Sequence, residues 1–326
     1  MDRKQTEMRI RESRLARHAD ALIQHLAPSA RIVLDERPAD HKDNRAASHF
    51  GGLPTLLAGT EWPRWDRGDH LRDQIARMEE RFRENPRAIG LCDVADQLRE
   101  SLTQPVVPLA FLGQLDLAEL HASVRLPGWP ADGRLCFFYD CQNEPWGFDP
   151  AEQGSCRVIY CAGSEPADVM EPPADVPEDA RFPERPVRFV PEWLLPPSLK
   201  VGWLRSFGPR NDDYTDLRQQ LISGGDDENS PIHRCGGHPQ EIQDDMRLQC
   251  QLVTNGLYCG DPSGYNDRRA AHLAPGAADW QLVLQIDSDE ELGWMWGDCG
   301  RLYFWTRRPE IAQADFAGAW VVLQCY

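Results

Sequence analysis

Two short segments, Phe111-Leu112-Gly113-Gln114-Leu115-Asp116 and Leu282-Val283-Leu284-Gln285-Ile286-Asp287, decide how this chain is organised. Each is strand-length and apolar and closes on Gln-apolar-Asp. In an extended strand, residues two apart share a face, so Gln114 lies beside Asp116 and Gln285 beside Asp287, opposite Leu115 and Ile286. Upstream, Gly51-Gly52-Leu53-Pro54 answers to Gly236-Gly237-His238-Pro239, and each follows a histidine, His49 or His233. Downstream, Gly133-Arg134-Leu135-Cys136-Phe137-Phe138 answers to Gly300-Arg301-Leu302-Tyr303-Phe304-Trp305, and Arg157-Val158-Ile159-Tyr160 to Trp320-Val321-Val322-Leu323. The order is the same in both halves, which is the signature of an internal repeat.

Each copy reads as an alternating strand, a glycine turn, an aromatic strand and a β-branched strand, a meander with one apolar face to cover. Two copies can cover each other. The expected architecture is α+β and β-rich, with internally duplicated β-meander units packed around a pseudo-two-fold axis and peripheral helices. The expected divisions are an N-terminal amphipathic helix (1–28), a first repeat (29–161) with a helical insertion (69–101), a Pro-rich acidic connection (162–200) and a second repeat (201–326). Leu15, Leu22, Ile23 and Leu26 form the apolar stripe of the opening helix, which is expected to be an accessory to the duplicated core. Nine prolines between 162 and 200 argue for extended chain and against a central strand. Shorter helices are expected at 213–223, ended by Gly224-Gly225, and after Pro239 toward Cys250.

A length of 326 residues suits about two units of roughly 150. The 35 Lys and Arg against 52 Asp and Glu give a formal charge of -17, which repels a phosphate backbone, so nucleic acid is not expected as a partner. A mean hydropathy of -0.55 and the absence of a long apolar run argue against a membrane partner. Ten cysteines without a CxxC pair, set in runs such as Cys156–Cys161, read as reduced core residues. The first residues lack an apolar signal region, so the expected location is cytoplasmic.

The stretch Asp279–Trp305, with Phe316–Tyr326, His233–Gln243 and Pro108–Leu120, resembles the YwqG-like family of bacterial proteins. That resemblance, over about residues 48–160 and 230–326, implies a β-rich duplicated fold of unknown function and supplies no catalytic residues.

The acidic residues Asp287, Asp289 and Asp298 are oxygen ligands of the kind Ca²⁺ or Mg²⁺ takes, but the EF-hand spacing is absent and a solvated loop explains the run from 287 to 291 more simply. His233, Cys235 and His238 with Cys250 or Cys259 are zinc-ligand types without the second pair. No GxSxG elbow, Walker loop or GxGxxG is present, and no metal or cofactor is expected. The aromatic group Trp294, Trp296, Tyr303, Phe304 and Trp305, with Trp129 and Trp146, is mostly core. The interleaved Gly293, Gly297 and Gly300 suggest a partly exposed groove near 293–300.

The reading that follows is a non-catalytic protein- or ligand-binding module with an acidic, Trp-containing cleft formed by Gln114, Asp116, Gln285, Asp287, Trp294 and Trp296. The expected partner is another protein with a basic surface. The alternative is a metal-assisted hydrolase using the Asp cluster in 287–298.

Overall fold

The computed structural model describes residues 1–35, 47–85, 87, 90–163, 165–197, 211–223 and 230–326. The strands are β1 (Ala27–Leu34), β2 (His49–Phe50), β3 (Thr55–Leu57), β4 (Arg64–Asp66), β5 (Val106–Pro108), β6 (Ala110–Asp116) and β7 (Arg134–Tyr139), followed by β8 (Cys156–Cys161), β9 (Ala167–Val169), β10 (Arg185–Leu194), β11 (His233–Cys235), β12 (Trp280–Asp287), β13 (Arg301–Arg307) and β14 (Trp320–Gln324). The helices are α1 (Arg3–Glu12), α2 (Ala19–Ile23), α3 (Gly68–Glu84), α4 (Gly90–Ser101), α5 (Leu117–Ser123), α6 (Asn211–Ser223), α7 (Met246–Val253), α8 (Pro262–Asn266), α9 (Ala270–Leu273) and α10 (Arg308–Ala312).

Among the described residues, ten strands form one sheet in the order β14-β13-β12-β11-β1-β10-β2-β6-β7-β8, and β3-β9 and β4-β5 are separate ribbons. All neighbours in the large sheet run antiparallel. The long pair β1-β10 lies at its centre, with one arm on each side.

Alternation sorts the side chains of each arm onto two faces. Leu135, Phe137 and Tyr139 of β7 join Leu302 and Phe304 of β13 in one inner core, to which Leu284, Ile286, Val321 and Leu323 also belong. The sheet therefore curls until the inner faces of its arms meet, and the Phe137 and Phe304 rings pack edge to face at 5.4 Å. The outward residues are covered separately. Trp280, Leu282, Tyr303 and Trp305 pack with Met246, Cys250 and Val253 of α7, and Phe111, Cys136 and Phe138 pack with Leu56, Trp65 and Leu109. Both faces being covered, β7 and β14 are buried along their whole length. All ten cysteines are free thiols, and seven are buried.

The connection contains a strand that the prolines argue against. β10 is central, pairing with β1 from Ala27↔Leu194 to Leu34↔Val187 and with β2 at Arg185 and Pro186. Its prolines fit because of where their missing donors would point. The Val187 N–H reaches Ser48 O on the β2 side, so by alternation the Pro191 nitrogen faces that same side, beyond the two-residue β2. Pro186 sits at the strand end and contributes its carbonyl to Asp35 N–H at 2.8 Å.

The opening segment is two short helices rather than one, broken at Ser13–His18, and Pro28 already belongs to β1. α6 forms with Tyr214, Leu217, Leu221 and Ile222 buried, and Gly224-Gly225 lie outside the described residues. The helical insertion forms as α3 and α4, with the Arg77 guanidinium 4.8 Å above the Tyr258 ring.

Ile10, Leu15 and Leu22 are buried against Leu195 and the α6 residues Tyr214, Leu217 and Leu221. This packing makes the opening helices part of the body. Leu22→Ala is expected to lower unfolding stability by about 2–4 kcal/mol, by loss of transfer energy and creation of a cavity. Urea unfolding checks this, and an unchanged midpoint would return the helices to an accessory role.

Candidate functional site

The polar pairs of the two decisive segments are hydrogen-bonded to backbone. Gln114 Oε1 accepts the Thr55 N–H at 2.9 Å, and its Nε2 donates to Ala47 O at 3.0 Å. Gln285 Oε1 accepts the Gln240 N–H at 2.9 Å, and its Nε2 donates to Ile232 O at 2.8 Å. Both side chains are fully buried. Asp116 caps α5 by accepting the Glu119 N–H at 2.8 Å, and burial raises its carboxyl above the ordinary value in spite of that bond.

Asp287 is differently placed. Its Oδ2 accepts the Ile232 N–H at 2.9 Å, and Arg301 Nε lies 2.8 Å from the same oxygen as an ion pair bent away from hydrogen-bond geometry. The Asp287 N–H donates to His233 Nδ1 at 3.1 Å, so the imidazole proton sits on Nε2, which is 3.0 Å from Asp289 Oδ2. Both nitrogens of His233 are thereby engaged, leaving neither as a base. Burial pushes the Asp289 carboxyl up, but the His233 hydrogen bond, with the Glu291 and Leu292 N–H groups, outweighs it and holds the group below its ordinary value.

Asp289 also begins the turn Glu290–Leu292 by accepting the Glu291 N–H at 2.8 Å, and Gly293 ends it at φ 70°. A Cβ at Gly293 would meet no atom within 4 Å, so glycine is required there by backbone conformation and not by space. Trp294 closes the turn with two backbone hydrogen bonds to Asp289, both 2.9 Å. The Trp294 ring packs edge to face with Phe50 at 5.1 Å and Phe182 at 5.8 Å and lies tilted to Trp296 at 5.7 Å. Its indole N–H is buried without a hydrogen-bond partner, whereas Trp296 donates to Asp287 O at 3.2 Å.

Above this floor is a hollow of about 550 Å³, with Asp287, Asp289, Glu290, Trp294, Met295 and Arg301 in its wall. Glu290 and Glu291 are exposed at its rim, Met295 is 51% exposed and Tyr326 78%. Cys299, also in the wall, is exposed and left-handed at φ 49°. Nearby, Glu144 is left-handed at φ 43° and accepts the Gly297 N–H at 3.3 Å. Non-glycine residues rarely adopt that backbone, and here two of them lie where the 140s loop meets the 290s loop.

Of the six residues expected to share a cleft, Asp287 and Trp294 line this hollow. Gln114, Asp116, Gln285 and Trp296 do not. The acidic run is not simply a solvated loop, since Asp287 and Asp289 are buried and only Glu290 and Glu291 face solvent. The aromatic group is core: Trp294, Trp296, Tyr303, Phe304 and Trp305 are buried, and near 293–300 the exposed wall residues of the hollow are Met295 and Cys299. Among the described residues no three His, Cys, Asp or Glu side chains are grouped to hold a metal ion, so Asp287, Asp289 and Asp298 do not form a metal cluster and His233, Cys235 and His238 do not form a zinc site. Met295, Cys299, Arg301 and Tyr326 were missed as wall residues. The glycines at 293, 297 and 300 mark the segment that carries Met295 and Cys299, and the Gly-Arg pair at 300–301 marks Arg301.

Two mutations test the local chemistry. Gln285→Leu would leave the Gln240 N–H and Ile232 C=O unpartnered and should lower stability by about 1–3 kcal/mol in chemical unfolding; no loss would deny the bracket its structural role. A carboxyl held below its unfolded value adds stability above about pH 4 and loses it as the pH falls through the folded value. Asp289→Asn should therefore flatten the acid limb of a melting-temperature profile, and a parallel profile would contradict the His233 pairing.

A family model described as a domain of unknown function (DUF1963) matches residues 48–325. No curated protein matches the chain.

Proposed function

We propose that this chain, which belongs to the DUF1963 family, is a non-catalytic binding module whose acidic hollow beside β12 receives a lysine or arginine side chain of a partner protein. The observation that carries the reading is the exposed pair Glu290 and Glu291 set over the exposed Met295 and Tyr326. A basic side chain has an apolar stem and a charged tip, and these neighbours offer a surface for each. Glu291 meets Arg185 at 3.2 Å as an exposed pair, which a stronger cationic partner can replace at small cost. The charge of -17 favours approach by a basic surface.

Treating the two arms as copies supports this choice. Thr55, Ala47 and Ser48, the first-arm partners of Gln114 and Asp116, correspond to Gln240, Ile232 and His233 in the second. The separation is 185 residues in each case, as 240 less 55, 232 less 47 and 233 less 48 all give. Register shifts also recur, between Phe111 and Gly113 and between Leu282 and Leu284. On this alignment Ser48 stands where the second arm has His233, and Leu117-Ala118-Glu119-Leu120 stands for Ser288-Asp289-Glu290-Glu291. Glu119 matches Glu290, but Ala118 and Leu120 stand where the second arm has Asp289 and Glu291, so the paired glutamates of the rim belong to one arm only.

An octa-arginine peptide, titrated calorimetrically, is expected to bind with salt-sensitive affinity. Replacing Glu290 and Glu291 by Lys should weaken it at least tenfold, while reversing Asp69 and Glu80 on α3 leaves it within twofold. Equal loss from both pairs would reduce the effect to net charge and sink the site.

A further inference from the structure

A second hollow, of about 230 Å³, opens where the chain leaves β11 at Gly236-Gly237. Its wall combines Trp129, Trp280 and Trp305 with His238, Arg247 and Arg308. The volume falls below the range of about 300–1,000 Å³ that holds drug-sized ligands, so it admits a molecule built on one ring.

The polar groups around it are rich in donors. The Trp280 indole N–H is satisfied by Gln251 Oε1 at 3.0 Å, but that of Trp305 is buried without a hydrogen-bond partner. Arg308 donates to Ala278 O at 2.9 Å from an exposed position. Arg247 is held by Asp245 at 2.7 Å. Behind the wall, fully buried Arg234 donates weakly to His238 O at 3.4 Å, while its Nε and Nη2 make no hydrogen bond. Glu192 lies 3.7 Å from Arg234 as its counter-ion. Arg218, half-buried, donates from Nη1 to Pro197 O at 3.1 Å and has an Nε without a hydrogen bond.

Cationic side chains outnumber carboxylates in this wall, against the acidic balance of the whole chain. Burial depresses the His238 imidazole to about 4; its contact with His25 O works against this, and the charges of Arg247, Arg218 and His25 push it further down. Glu241 is the carboxylate in the wall, and Asp245 and Glu192 are committed to Arg247 and Arg234. A buried guanidinium whose N–H groups are only partly met is costly, and an anion nearby would reduce that cost.

We infer that this hollow binds a small organic carboxylate carried on a single ring, its oxygens toward Arg247 and Arg308 and its ring against Trp129 and Trp305. Inorganic phosphate has the charge without the apolar body, and a neutral amide has the body without the charge.

The full chain should therefore be titrated with phenylacetate, phenylacetamide and inorganic phosphate, followed by tryptophan fluorescence and thermal unfolding. Phenylacetate is expected to give a saturable fluorescence change and a rise in Tm, at least tenfold tighter than either comparator. Arg308→Gln should weaken it at least fivefold and Trp129→Ala at least tenfold, and Glu290→Lys, at the other hollow, should leave it unchanged. Equal affinity for the amide would overturn recognition of the carboxylate, and equal affinity for phosphate would overturn the role of the ring. No saturable response to phenylacetate, or binding unaffected by both Arg308→Gln and Trp129→Ala, would overturn the site itself.

Discussion

The antiparallel pairing of β1 with β10 holds the molecule together along eight residue pairs. Everything else in the large sheet is attached to that pair through short contacts: β11 joins β1 over Ala30–Ile32, and β2 joins β10 at Arg185 and Pro186. Ladders of two or three residues cannot by themselves fix the angle of a four-strand arm. The inner core does so, because neither arm could leave Leu135 and Phe137, or Leu302 and Phe304, in water without losing about 1.5–3 kcal/mol per large side chain. Strand pairing sets the order of the sheet, and shared burial sets its curl.

That division explains what could be read in advance. β6, β7, β12, β13 and β14 carry their apolar alternation within themselves, and the glycine turns bracket them. β1 and β10 do not. Pro28, Pro186 and Pro191 mark both as poor strands, and their pairing is between segments some 160 residues apart, so no local window contains the reason for it. The acidic run was opaque for a similar reason. Asp287 and Asp289 are buried because Ile232 and His233, more than fifty residues earlier, place an N–H and an imidazole against them. Glu290 and Glu291 stay at the surface as their charge suggests, Glu291 meeting only the exposed Arg185.

The two glutamines show how polar side chains can be structural within an apolar strand. A carboxamide has the donor and acceptor character of a peptide group, and β2 and β11 are only two and three residues long. Where these strands end, Gln114 and Gln285 continue the cross-strand hydrogen bonding with their side chains, joining the segments on both sides of each glycine turn. An Asp or Glu carboxylate would supply only acceptors and leave the carbonyl of Ala47 or Ile232 unmet. The recurrence of Gln at both points therefore follows from the need for one donor and one acceptor, without any ligand.

The difference between the arms begins one residue beyond that bracket. The backbone N–H of Asp116 needs an acceptor and finds Ser48 Oγ at 2.8 Å, while that of Asp287 finds His233 Nδ1 at 3.1 Å. Either group satisfies the backbone. The imidazole alone has a second nitrogen, on the far side of a rigid ring, and that nitrogen holds Asp289 at the start of the turn carrying Glu290 and Glu291. The first arm continues instead into α5, whose cap Asp116 leads to Leu117 and Leu120, both buried in the shared core. One arm thus uses the position after its strand to complete the core, and the other uses it to hold carboxylates at the surface. A histidine at 233 is what lets the same bracket serve the second purpose.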